Sequence, residues 1–357
     1  MKLRVTHETR YDYTPAVETA QHLAHLRPLN TTGQQLLSHS LTVNPQPALL
    51  TEAKDVFGNM RTFFSLQIPH QQLTVTADSV VITHKPQLPE GSTDLTLWEH
   101  TREVFRFHAG NAYDPASEFV FASPCIPRDT DFLDYARPSF TAGTSQLSAI
   151  CNLMARIHTE FTYASQSTEV NTPAQVALKQ KKGVCQDFSH IMIACLRSMN
   201  LPARYVSGYL LTEPPEGQVR LVGADASHAW VSTYIPGFNQ SRHKGLDGRP
   251  PDGFGGGWFD FCPTNNRWGF GTPGEDYVTL ALGRDFSDVS PMRGMIHGGA
   301  NHSLYVGVTV QPIDFDTHKD DAVSASSDEL AESHAPTLGE QHQSQIQSQT
   351  QTSNPNL

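Results

Sequence analysis

The chain has 357 residues, 38% of them hydrophobic, and a formal net charge of −11. That length suffices for two domains with cores of their own, while the acidic balance disfavours a nucleic-acid partner, whose phosphates call for a basic stripe. The opening MKLRVTHETRYDY lacks the continuous apolar run of a secretory signal, no run is long enough for a membrane span, and the five cysteines are scattered with no C-x-x-C pair, so the expectation is a cytoplasmic protein with reduced thiols and no membrane partner.

From the N-terminus, KLRVTHETRYDY, LSHSLTVNP and RTFFSLQIPHQQLTVTADSVVITH alternate apolar and polar residues between turn signals, which predicts an antiparallel β domain over residues 1–88. Gly58-Asn59 in KDVFGNMR suits a hairpin turn. The Pro-rich stretch His84 to Asp94 reads as a linker. The period then changes, and a second unit is expected over 89–316, with a helical lead-in over 95–160. LWEHTREVFRFHAG has helical spacing, as does SQLSAICNLMARIHTEFTY with Leu147, Ile150, Cys151, Met154 and Ile157. A short helix, a Gly turn and a longer helix follow. The longer one carries a stripe of Phe188, Ile191, Met192, Cys195, Leu196 and Met199, and is ended by Leu201-Pro202. Strands are predicted at Ala203 to Leu211, His228 to Ile235 and Trp258 to Phe261. Residues 317–357, rich in Ser, Gln, Asp and Glu, cannot offset the entropy of ordering and are predicted disordered.

Cys185 precedes the apolar stripe, at the start of the longer helix, where free N–H groups and the dipole lower a thiol's pKa. Gly183 ahead of it allows a sharp turn. Cys151 and Cys195 fall on apolar stripes and read as core. A nucleophilic thiol needs a base. His228 opens a strand that can pack beside the helix, whereas His190, five residues on from Cys185, is turned well round the axis.

These motifs carry a resemblance. GVCQDFSHIMIACLRSMNLPARYVSGYL, GADASHAWVSTYIPG, WFDFCPTNN and TLALGRDFSDVSPMRGMIHGGA, in this order, resemble the bacterial transglutaminase-like family, often described as cysteine proteases, and LRVTHETRYDYTPAV, DVFGN and IPHQQLTVTADSVV resemble its N-terminal β domain. The resemblance implies an α+β fold, with the N-terminal antiparallel β domain followed by a papain-like transglutaminase core of helices packed on an antiparallel sheet. It also implies Cys185 as nucleophile and His228 as general base.

The third triad member of the family is the Asp of W-x-x-x-D-P-T. In this chain the position is Cys262, a weak and uncharged acceptor. Asp260 shares its face of the strand and is the candidate third catalytic residue, but lies one period, about 6.6 Å, away, so it would need a bulge or slipped register to reach the base. Asn265 or Asn266 could orient the imidazole instead. Asp225 reads as a turn residue, the Arg and Asp pairs of GRDFSDVSPMRG as holding a loop near the cleft, and His297 and His302 as solvated loop residues.

The expected protein is a cofactor-independent thiol enzyme without metal, acting on a peptide or protein amide through a thioester, with hydrolysis favoured. The alternative is a weakened or inactive binding module on the same fold, motivated by Cys262. Zinc bound by Cys185, His228 and Cys262, or a Cys185–Cys262 disulfide, are minor variants.

Overall fold

The computed structural model describes residues 1–88, 96–109, 113–164, 172–212, 227–236, 257–299 and 301–314. Asp225, the tail 317–357 and most of the expected linker lie outside them.

The first five strands are β1 Lys2–Ala24, β2 Gln34–Asn44, β3 Leu49–Lys54, β4 Met60–Leu66 and β5 His70–Thr83. Along β1 the period-two pattern holds, with Leu3, Val5, His7, Thr9, Tyr11 and Tyr13 buried in alternation with more exposed neighbours. The strand is long enough to serve two sets of partners. Its first part, to Asp12, pairs with β5, and its end, Ala20 to Ala24, pairs with β4. The register shifts between Asp12 and Val17, around Pro15, which has no N–H to give a ladder.

The helical segment comprises α1 Trp98–Val104, a 3-10 turn at Pro115–Val120, α2 Thr130–Ala136 and α3 Gln146–Glu160. Ser145 caps α3, its hydroxyl accepting the Ser148 N–H at 3.3 Å. The short strands β6 Thr162–Tyr163 and β7 Lys182–Gly183 pair in parallel on either side of α4 Ala174–Gln180 and lead into α5 Cys185–Ser198. This helix ends in a Schellman turn. Asn200 sits at φ +62°, with Leu201 N–H on the Leu196 carbonyl and Asn200 N–H on that of Arg197. The sheet on which α5 packs is formed by β8 Ala203–Leu210, β9 Ser227–Tyr234, β10 Trp258–Cys262, β11 Arg267–Phe270 and β12 Tyr277–Gly283, in the order β11-β10-β9-β8-β12, all antiparallel.

After α6 Phe286–Val289, the chain returns to the N-terminal sheet. There β13 Met292–Gly298 and β14 Asn301–Pro312 both pair with β1. A boundary at residue 88 therefore misses two strands of the first unit, which residues 292–312 complete from the far end of the sequence. His297 and His302 accordingly lie on strands. The His297 ring meets Glu18 at 3.1 Å. The two units also share one core, in which Leu3, Val5, Val81, Val308 and Val310 are continuous with α5 and its sheet.

Two side-chain amides close the outer edge of β12. Gln34 accepts the Thr279 N–H at 2.8 Å and donates to its carbonyl at 2.9 Å. Asn59, at the expected hairpin turn, likewise accepts from the Leu282 N–H at 2.8 Å and donates to its carbonyl at 2.7 Å. Each amide stands in for a strand neighbour, satisfying backbone groups that an open edge would leave bare.

Candidate active site

Cys185 is the first residue of α5. Val184 before it is extended, and its N–H is accepted by the Asp187 carboxylate at 2.8 Å. Gly183 serves this arrangement by its size: a Cβ there would lie 2.6 Å from the Asp187 side chain. Far along the helix, Arg197 anchors α5 with bonds to the carbonyls of Ala203, Phe121 and Arg284 and to the Ser123 hydroxyl.

Cys185 is 6% exposed, and its sulfur takes the backbone N–H groups of Ala229 and Gln186. These favour the thiolate, as the helix terminus does. Burial outweighs them and pushes the thiol up to about 12. The low thiol pKa expected from the helix terminus alone is thus reversed by desolvation.

His228, at the head of β9, is equally buried. Burial lowers its pKa to about 4, so the ring is neutral at neutral pH. Its ring lies 5.8 Å from Tyr277 and 6.2 Å from Trp230, and its Nε2 meets the Cys262 sulfur at 3.2 Å. That leaves Nδ1 as the nitrogen available to Cys185. No hydrogen bond joins the two in this state.

Cys262 therefore occupies the acceptor position physically as well as in the motif. It is fully buried, and desolvation raises its pKa, but its sulfur is surrounded by donors: the Tyr277 hydroxyl and the N–H groups of Asn265 and Thr264, with the Arg267 charge nearby. Tyr277 is itself held by Asn265, whose Nδ2 donates to its hydroxyl at 2.9 Å, and by the Arg267 guanidinium 5.0 Å from its ring centre. Asn265 thus acts on the imidazole only through Tyr277 and the sulfur. Asn266 adopts φ +50° in the turn to β11.

Asp260 does not reach His228. Register sets it opposite Ser232, four residues along β9 from His228, or about 13 Å of strand. Its carboxylate accepts the Trp230 indole N–H at 3.2 Å, and burial raises its pKa against the opposing pull of Ser232, Arg204 and Trp230. The bulge that would have redirected it is absent from the β9–β10 ladder.

The other candidates take structural places. His190 is buried, with Nε2 accepting the Phe286 N–H at 3.2 Å. In GRDFSDVSPMRG, Arg284 forks onto Asp288 at 2.8 and 2.9 Å, and Asp285 caps α6 while receiving the Cys125 N–H. All five cysteines are free thiols, and among the described residues no three His, Cys, Asp or Glu side chains cluster as a metal site. Tyr277 is the residue that motif reading missed. Its place on β12 follows from the apolar run YVTLAL before Gly283, but its meeting with Cys262 depends on the strand order.

Family models match the bacterial transglutaminase-like N-terminal region over residues 3–82 and the transglutaminase-like superfamily over residues 134–261. An uncharacterized protein of Mycobacterium tuberculosis is 36% identical over 320 residues, 88% of this chain and 94% of its own length. Another from Mycobacterium leprae is 27% identical, over 87% of this chain and 98% of its own. Among solved structures, a candidate cysteine protease from Cytophaga hutchinsonii shares the fold, with a TM-score of 0.63 at 20% identity, covering 88% of this chain and 92% of that one. The chain belongs to the bacterial transglutaminase-like family, carrying both its N-terminal region and its core.

Proposed function

We propose that the protein is a thiol enzyme that transfers the acyl group of a peptide or protein amide through a thioester on Cys185, with water as the favoured acceptor. The observation that supports this most is the convergence at one site of Cys185 at the head of α5, with N–H groups on its sulfur, and His228 on the neighbouring strand, held through Nε2. The thiol and the imidazole both start neutral, and in the tautomer whose proton lies on Nε2, facing Cys262, His228 takes the thiol proton on Nδ1 as sulfur attacks the carbonyl carbon. It returns that proton to the departing amine nitrogen. Water or a second amine then breaks the thioester. Backbone N–H groups at the head of α5 are the natural donors to the transient oxyanion.

A binding-module reading is favoured by one observation, the replacement of the orienting carboxylate by a buried, uncharged thiol. The test is intact-protein mass spectrometry with a panel of peptide amides, including glutamine-bearing peptides. The acyl-enzyme adduct, mapped to Cys185 and absent from C185A, is the expected result. Neither turnover nor an adduct across the panel, with C185A indistinguishable from the native chain, would overturn the enzyme reading.

A further inference from the structure

We propose that a second site, separate from the thiol centre, binds a carboxylate carried on an apolar body. A cavity of about 760 Å³ opens where the β3–β4 hairpin, the 3-10 turn Pro115–Val120 and the segment from Arg284 to Arg293 meet. Neither Cys185 nor His228 lines it. This volume is ordinary for a small-molecule site, and a joint between two units is a common place for one.

The hydrogen-bonding balance of its lining is one-sided. Its three carboxylates are already supplied with donors. Asp55 accepts from the Phe57 and Asn59 backbone N–H groups, each at 2.9 Å, and from the Asn59 side chain at 2.8 Å. Asp288 takes the Arg284 fork, and Glu118 takes the Tyr113 hydroxyl at 3.0 Å. Two arginines are not matched in this way. The Arg61 Nε is buried with no hydrogen-bond partner, and no carboxylate pairs with Arg61 among the described residues. Among the described residues the Arg293 side chain makes a single hydrogen bond, to the Ser287 carbonyl at 3.0 Å.

What remains unfilled in the cavity is therefore donor capacity on guanidinium groups. Their planar forks match a carboxylate in two parallel bonds. Three arginines and three carboxylates line the cavity, so their formal charges balance and a monoanion suits it better than a phosphate dianion. Phe57, Phe119, Pro115 and Val56 supply the apolar wall that would cover the rest of the ligand.

The site is tested on the full chain with N-acetylphenylalanine as probe and its uncharged amide as control, by calorimetry and by the shift of the thermal midpoint. The acid binds and raises the midpoint with concentration, whereas the amide does not. R61Q weakens the acid's binding at least about tenfold. R293Q, at an exposed position on β13, weakens it too and carries the test if R61Q folds poorly. Equal responses to acid and amide, no response to the acid at millimolar concentration, or native affinity in R293Q together with a folded R61Q would overturn the proposal. Inorganic phosphate binding as tightly as the acid would also overturn it, by showing a bare-anion site.

Discussion

The sharpest consequence of the site concerns the C262D variant. In a Cys-His pair the base must present a lone pair to the thiol, so the other ring nitrogen must carry the proton and donate it to an acceptor. At His228 that acceptor is the Cys262 sulfur, 3.2 Å from Nε2. The other groups bonded to this sulfur are donors, from Tyr277, Thr264 and Asn265, so a neutral Cys262 directs its own proton to Nε2. This selects the tautomer with its proton on Nδ1, which cannot act as base toward Cys185. Only the Cys262 thiolate selects the productive one.

The size of the effect follows from the fraction of that thiolate. Burial raises Cys262 above the ordinary thiol value. An ordinary thiol is only about 3% ionised at pH 7, and burial leaves Cys262 less so, so C262D should gain at least about thirtyfold there, or about 2 kcal/mol. The native chain should close the gap as pH rises through the thiol's pKa. C262A, with no acceptor, should show no such alkaline rise. Y277F removes one donor to the sulfur and should move the native rise to higher pH. The assay needs no known substrate: it is the rate of Cys185 alkylation by iodoacetamide, mapped by peptide mass spectrometry and followed against pH. A C262D rate no faster than native at pH 7, in a variant that melts like the native chain, would refute the tautomer argument. So would a ratio that does not change with pH.

Two further outcomes are expected. His7, His22, His190 and His228 are each lowered to about 4 by burial, below the unfolded value of about 6.5, so the unfolded chain binds more protons between these limits. Stability is therefore full above about pH 6.5 and falls as pH drops toward 4, with a slope of up to about 5 kcal/mol per pH unit for the four groups; denaturant titrations across this range check it, and a flat profile would count against neutral burial. The N59A variant leaves the Leu282 N–H and C=O without their side-chain partner and should cost about 2–4 kcal/mol in the same titration. A loss below about 0.5 kcal/mol would mean that water replaces the amide.

The parts of this architecture that were legible in the sequence are those written in local patterns. The stripe from Phe188 to Met199 predicts α5, and its late start sets Cys185 apart from the core cysteines. Period-two alternation likewise marks the N-terminal strands. The same signal was present in SLYVGVTVQ, where Leu304, Val306, Val308 and Val310 alternate with polar or small residues, yet nothing local says that β14 returns to pair with β1 about 300 residues earlier. Asp260 shows the corresponding limit at the site. Alternation places it correctly on the Cys262 face, but only cross-strand register tells that it faces Ser232 rather than His228. The raised pKa of Cys185 was hidden for a related reason. The helix terminus is a local feature, whereas the burial that opposes it comes from strands and rings distant in the chain.

The N-terminal unit is best understood through β12. This strand is the outer member of the core sheet, and its first residue, Tyr277, is the one whose hydroxyl reaches the Cys262 sulfur. An edge strand is ordinarily the least constrained part of a sheet, because one row of its backbone groups has no ladder. Here Gln34 and Asn59 supply substitutes for that ladder, and His7 on β1 bonds the Tyr209 hydroxyl on β8 at 2.7 Å. The N-terminal sheet thus pins the strand that positions the donor to the sulfur that meets His228. A carboxylate could hold an imidazole by charge alone, across small errors of position. A sulfur depends on short contacts and on which neighbours donate to it, so the replacement at 262 makes the rigidity of β12, and hence the N-terminal unit, part of the same device as His228.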